Sequence, residues 1–184
     1  MLIIKLGGSL AQAQTLLKCL NKIEINYSHQ KVIIVPGGGA FADQVRMAQS
    51  HWQFDDSTAH KMAILAMQQM ALLIQGLKSD WVLAESTISL SEGLKTNNVL
   101  IWSPCIKELA TNQIAESWDI TSDSLAAWLA NKLSAQHLIL VKSAAIDQNL
   151  SLQELSEAGI TDNGFCQFVA EMGVKIDVIN QEDF

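Results

Sequence analysis

The chain has 184 residues, 49% of them hydrophobic and 17% charged, enough to bury the core of one globular domain, so a single domain over residues 1–184 is expected. Its 12 Lys and Arg against 19 Asp and Glu leave a net charge of −7, with Arg46 the only arginine; this excludes the basic stripe of a general nucleic-acid binder but leaves room for a small positive pocket. Three cysteines (Cys19, Cys105 and Cys166) without a CxxC spacing, no basic run leading into an apolar one at the start, and no bilayer-length apolar stretch suggest a reduced, cytoplasmic protein without membrane contact.

Along the chain, short β-branched runs alternate with helical patterns. Residues 2–6 read as a strand and 16–23 as a helix; 32–35 as a strand and 41–49 as a helix; then comes a long helix over 57–77. Further strands are expected at 81–84, 99–102, 137–141 and 174–179, each apolar throughout, as strands covered on both faces are. The expectation is an α/β domain with a largely parallel sheet of about six strands. Pro36 and Pro104 each follow a strand run and direct the chain into a loop. The 57–77 helix is apolar nearly all round, from Met62 through Met67 and again from Met70 to Ile74. Either the domain covers it on every side, or one face meets a second subunit as a homodimer or higher homo-oligomer.

Glycine-rich turns follow the first two strands: Lys5-Leu6-Gly7-Gly8-Ser9 and Pro36-Gly37-Gly38-Gly39-Ala40-Phe41-Ala42-Asp43. Strand C-terminal ends are where open α/β sheets bind ligands, and glycines there let backbone N–H groups approach anionic oxygens. The plainer reading is that glycine supplies the backbone freedom of a tight turn. Lys5 ends an otherwise apolar strand, and Lys142, followed by Ser143, ends another; each either acts as a point charge on a phosphoryl group or pairs with a carboxylate. There is no GxxxxGK[ST] loop, and the loose GxGxxG/A match at Gly37 to Ala42 is a weak dinucleotide signal, since it follows the second strand rather than the first.

The segment Trp118-Asp119-Ile120-Thr121-Ser122-Asp123-Ser124 leads from a loop into a helix with Thr121 or Ser122 as N-cap. Asp123, in the first turn, either stabilises the helix dipole or positions catalytic lysines and Mg2+ among phosphate loops; Asp119 is either a solvated loop residue or part of the site. The scattered histidines are expected in surface or helix-end roles, and the five tryptophans in the core or an interface.

Together, KLGGSL at 5–10, VPGGGAFAD at 35–43 and WDITSDSLAAWLA at 118–130 resemble the amino acid kinase family. The helix motif AHKMAILAMQQM and the SDS form of the aspartate motif resemble a small archaeal and methylotroph branch that contains a kinase of methanofuran biosynthesis. The resemblance implies a three-layer αβα sandwich and an ATP- and Mg2+-dependent transfer of the γ-phosphoryl to a small acceptor bearing a phosphate or carboxylate. It implies that Lys5, Gly7, Gly8 and Ser9 bind phosphate, with Lys142 and Ser143 also on the nucleotide side, and that Asp123 orients the catalytic lysines. Gly37, Gly38 and Gly39 would face the acceptor, with Asp43, Arg46 and Asp119 contacting it; Arg46 lies one helical turn beyond Asp43 and suits bidentate contact to an anion, unless it is simply solvated. The resemblance implies that relatives continue past the last strand with a further lysine and often carry V-D-G where this chain has Ala144-Ala145-Ile146-Asp147, so a shortened C-terminus is expected, with Lys142 as the candidate second lysine. Rival readings are a non-catalytic anion- or nucleotide-binding regulatory protein on the same fold and, third, a nicotinamide oxidoreductase.

Overall fold

Alternation along each strand divides the apolar residues between two faces of one sheet. The computed structural model describes residues 1–12, 15–27, 29–170 and 173–184. Its strands are β1 (Leu2–Leu6), β2 (Val32–Pro36), β3 (Val82–Ala84), β4 (Val99–Trp102), β5 (His137–Lys142) and β6 (Lys175–Asn180), all parallel in the order β3-β4-β2-β1-β5-β6. All six expected strands are present, with β3 one residue shorter, β5 extended to include Lys142 and β6 shifted by one. A 3-10 turn (Gly8–Gln12) follows β1, and the helices are α1 (Thr15–Tyr27), α2 (Gly39–Trp52), α3 (Asp56–Leu77), α4 (Thr87–Gly93), α5 (Ile106–Thr111), α6 (Ser122–Lys132), α7 (Leu152–Glu157) and α8 (Phe165–Val169).

Ile3, Ile33, Leu100, Leu138 and Leu140 point to one face, where Leu125 and Leu129 of α6, Leu155 of α7 and Phe165 of α8 cover them. Leu2, Ile4, Ile34, Ile101 and Ile139 point to the other, against Leu16, Leu20 and Ile23 of α1. The result is a layer of helices on each side of a parallel sheet, which is how a sheet buried on both faces must be built. Each core side chain of this size that leaves water adds roughly 1.5–3 kcal/mol of favourable transfer free energy.

The apolar character of α3 has a structural cause. Ile64 and Met67 belong to the first core cluster, and Met70, Ala71 and Ile74 to the second, so successive turns of one helix serve both faces. A third stripe is left to solvent: Leu65 is 45% exposed and Leu72 59%. Among the described residues no helix is long and apolar enough to cross a membrane.

Candidate active site

β1 lies at the centre of the sheet, and its last turn of register pairs Lys5 with Val35 of β2 and with Leu140 of β5. The two-residue period of strands puts Lys5 on the face of Ile3, and Lys142 on the face of Leu138 and Leu140. That is the face covered by α6. The N-terminus of α6 arrives between the two lysines and delivers Asp123: Lys5 Nζ stands 2.7 Å from Oδ1, and Lys142 Nζ stands 2.5 Å from Oδ2. The side chains of Lys5 and Asp123 are each 5% exposed and that of Lys142 12%. Burial alone would raise the Asp123 pKa, but the Lys5 and Lys142 charges outweigh it and hold it down to about 2. Burial, and then the charge of Lys5, lowers the Lys142 ammonium to about 8 against the opposing pull of Asp123. Two cations on one carboxylate leave a net positive point at the strand ends. Of the two alternatives open for these lysines, the structure shows the pairing with a carboxylate, and that pairing leaves a surplus of positive charge at the strand ends.

The glycine loops meet each other. A Cβ on Gly8 would lie 2.2 Å from the Gly39 nitrogen, and one on Gly37 would lie 2.5 Å from the Gly8 nitrogen. Gly39 also holds φ at +55°, which L side chains rarely adopt. Gly7 donates its N–H to the Val141 carbonyl at 2.9 Å and Gly37 to that of Leu6 at 2.8 Å, which seats both loops on the strand ends. The N-cap of α2 is Gly38, which offers the first turn no side-chain acceptor, so the N-terminal N–H groups of the helix keep their capacity for an anion. This end of α2 opens on a cavity of about 230 Å³ lined by Gly8, Ser9, Gly38, Gly39 and, farther along, Asp43 and Arg46.

Most of the sequence-selected residues thus converge. Ser9 Oγ and Ser143 Oγ lie 2.7 Å apart, linking the loops after β1 and β5. Arg46, exposed on α2, stacks its guanidinium 3.7 Å from the centre of the Trp118 ring and, among the described residues, makes no ion pair. Lys5, Asp123, Lys142 and Ser143 lie beside the cavity's glycine loops without lining it, and neither do Gly7 and Gly37, whose part is to hold the loops that do. Asp119 is exposed and does not line the cavity, and its carboxylate accepts a hydrogen bond from Asn163 Nδ2 at 2.8 Å. Its backbone instead anchors the loop, the carbonyl accepting from Gly164 at 2.7 Å.

Several residues with parts to play lack any local sequence signal. Thr121 occupies the N-cap of α6, but its side chain caps nothing in the helix. Asp162 does so from a distant loop, accepting from Thr121 N at 2.9 Å, Thr121 Oγ1 at 2.7 Å and Ser124 N at 3.1 Å, as well as from the Ser124 hydroxyl. It thereby fixes the helix end that carries Asp123. His60, expected at a surface or helix end, is buried and lines the cavity. Burial pushes its imidazole below the usual range, against a contact at 3.3 Å with the Ser117 carbonyl and the charge of Glu116. Trp118, expected in the core or an interface, is half-buried and forms the cavity wall, whereas Trp102 and Trp128 do stack in the core with centroids 6.0 Å apart.

Residues 1–145 match the model of the amino acid kinase family, and the chain belongs to that family. It is 32% identical over 140 residues to a (5-(aminomethyl)furan-3-yl)methyl phosphate kinase of Methanocaldococcus jannaschii, a match that covers 75% of this chain and 63% of that relative. Among solved structures, the uridylate kinase of Archaeoglobus fulgidus superposes with a TM-score of 0.76 at 19% identity, covering 99% of this chain and 92% of that one. An aspartate kinase from Synechocystis superposes at 0.69 and 12% identity, over 99% of this chain and 38% of that one. These two establish the shared αβα fold, which the three sequence motifs lead one to expect.

Proposed function

We propose that the protein is an ATP-dependent phosphotransferase that moves the γ-phosphoryl group to a small acceptor bearing a phosphate or carboxylate. The observation that carries this reading is the Lys5–Asp123–Lys142 triad at the C-terminal ends of β1 and β5, beside two interlocked glycine loops. In the transfer, an acceptor oxygen forms a bond to the γ-phosphorus as the bond to the β–γ bridging oxygen breaks, and ADP leaves. The triad has no nucleophile to contribute; its two ammonium groups offset the charge on the transferring phosphoryl, and Asp123 keeps both from wandering. The loop amides near Gly8 and Ser9 suit the donor phosphates, while the cavity at Gly38, Gly39, Asp43 and Arg46 suits the acceptor. Among the described residues there is no group of three or more His, Cys, Asp or Glu arranged for a metal, and both Asp123 oxygens face lysines. The residues therefore fit a Mg2+ that arrives on the nucleotide phosphates with water as its remaining ligands, where it would neutralise phosphate charge.

The relative from Methanocaldococcus makes an aminomethylfuran methyl phosphate the first acceptor to try, with a diphosphate as product. The test is to follow melting temperature with Mg2+ and ATP, ADP or NADH, and then ADP release once that acceptor is added. Stabilisation by ATP followed by acceptor-dependent ADP release is the expected result. ATP binding without turnover on any small phosphate or carboxylate acceptor would favour the regulatory binding reading, and stabilisation by NADH alone would favour the oxidoreductase.

The reading extends to a cytoplasmic homodimer, with residues 1–184 acting as a single domain. Met62, Leu65, Gln69, Leu72 and Gly76 follow one another at alternating spacings of three and four along α3, the repeat with which helices pack side by side. Leu73 and Leu77, 41% and 44% exposed, flank that line, so a second copy of the same helix is its natural complement. Light scattering should give twice the chain mass, and Leu72→Glu should give the monomer.

A further inference from the structure

The cavity at the start of α2 shares one wall with a second cavity. Trp118 and Arg46 line this cavity of about 230 Å³, and the same two residues line a second, more open one of about 520 Å³. The outer space is otherwise bounded by the end of α2 and the turn into α3, where Gln49, Ser50, Gln53 and Asp56 are polar and Phe54 is not. The indole and the guanidinium stacked on it thus stand between the two chambers.

The partition is held in place. The indole Nε1 donates to Gln49 Oε1 at 2.6 Å. Gln49 cannot turn its amide round, because its Nε2 donates to the Phe54 carbonyl at 3.2 Å and to Asp56 Oδ1 at 2.7 Å. One face of the ring is pressed by Arg46 and its edge is tied by Gln49, so the wall has a fixed position although Trp118 is only half-buried. A stacked cation at an exposed site is enough to bias the ring but not to lock it alone. The hydrogen bond to a side chain whose other atoms are already committed supplies the rest of the constraint.

We propose that Trp118, oriented by Gln49 and Arg46, determines the length of acceptor that the protein takes: single-ring phosphomonoesters fit the inner chamber, and acceptors with an extended polar arm are turned away at the indole. This rests on the acceptor-site reading of the inner cavity given above. Removing the ring joins the two chambers into one groove whose outer part, lined by amides and a carboxylate, suits a polar arm. The anionic end of the acceptor lies at the glycine-loop end of the inner chamber, at the N-terminal amides of α2 by Gly38 and Gly39, so that its opposite end is the one that meets the indole.

The experiment compares two probes by calorimetry on the full chain: benzyl phosphate, and the same ester with a para 4-acetamidobutyl arm. The wild type should bind the short ester at least tenfold more tightly than the long one. Trp118→Ala should bring the ratio close to one, chiefly by improving the long ester. Trp118→Phe, which keeps a ring, should retain most of the discrimination, and Gln49→Leu, which unties the indole, should cut it at least threefold. Equal affinity of the wild type for both esters, affinity for neither, or an unchanged ratio in both Trp118→Ala and Gln49→Leu would overturn the proposal. Should Trp118→Ala not fold, the Gln49→Leu ratio decides in the same way. Because binding is read directly, a ratio that moves as expected in a protein that never releases ADP would uphold the partition and refute the kinase.

Discussion

The two ends of the site are held by opposite means. At the phosphoryl end, Lys5 and Asp123 are buried and Lys142 is largely so; they come from two strand ends and a helix terminus and leave little of their side chains to solvent. At the acceptor end, Asp43 and Arg46 are exposed on α2 and Trp118 is half-buried in a loop, with the groups holding one another rather than being held by the core. The difference teaches that stabilising a charged transition state asks for fixed charges in a medium that cannot reorganise, whereas admitting and releasing an acceptor asks for side chains at the surface.

The largest effect should come from Asp123→Asn, which leaves two buried ammonium groups facing each other without a counter-charge. Breaking a buried ionic group in this way costs about 3–5 kcal/mol, which urea unfolding would show as a fall in midpoint, and turnover should vanish with it. A variant as stable as the wild type would mean that the triad is not the pivot of this end. Lys5→Ala, with Lys142 still on the carboxylate, should keep the fold while kcat drops by roughly 10²–10³, the scale for removing one group that stabilises developing charge; near-normal kcat would break the assignment. Arg46→Ala probes the softer end and should raise the acceptor KM about tenfold while kcat changes by less than about threefold, a loss of uniform binding. An equal loss in kcat would make Arg46 part of the chemistry and erase the contrast.

The smallest and most graded effects are those of pH. With the Lys142 pKa at about 8, kcat/KM should fall as pH rises through that value, since a neutral amine no longer offsets phosphoryl charge. Lys142→Arg, always charged, should remove that limb if it is active at all. For stability the sign follows from Asp123, whose folded pKa of about 2 lies below the unfolded 3.8. Its contribution is fully present above 3.8 and is lost as pH falls through about 2, so stability should fall more gently across that window in Asp123→Asn than in the wild type.

Much of the phosphoryl end is legible in the sequence because its parts are strand ends and glycine loops, where period and composition speak directly. Lys5 stands out as a charge in an apolar run, and Gly37-Gly38-Gly39 as a loop after a strand. What the sequence does not show is that the two loops touch, since the close approach of Gly8 to Gly39, which leaves no space for a Cβ on Gly8, depends on β1 and β2 being neighbours in the sheet. The acceptor end is harder to read. Nothing near Trp118 in the chain says that Gln49, 69 residues earlier, will tie it, or that Arg46 will stack on it. Asp162 is hidden for the same reason: it caps α6 from 41 residues beyond Thr121, and a capping residue is recognisable in sequence only when it precedes its own helix. By contrast, the start of α7 carries a local signature, Ser151 and Glu154 in a capping box. His60 reads as an ordinary helix residue because the sequence does not say which side of α3 meets the cavity.

Because α3 lends Ile64 and Met67 to one core cluster and Met70, Ala71 and Ile74 to the other, it cannot peel away while either cluster stays intact. In proteins that open piecemeal, a segment anchored in a single layer exchanges its amide protons through a local excursion, while one anchored in two is released only by the rarest, whole-molecule event. The amides at the middle of α3 should therefore be the last to take up deuterium and should report the global unfolding free energy. That same helix forms one wall of the cavity, so whatever occupies it leans on the slowest-opening unit of the molecule.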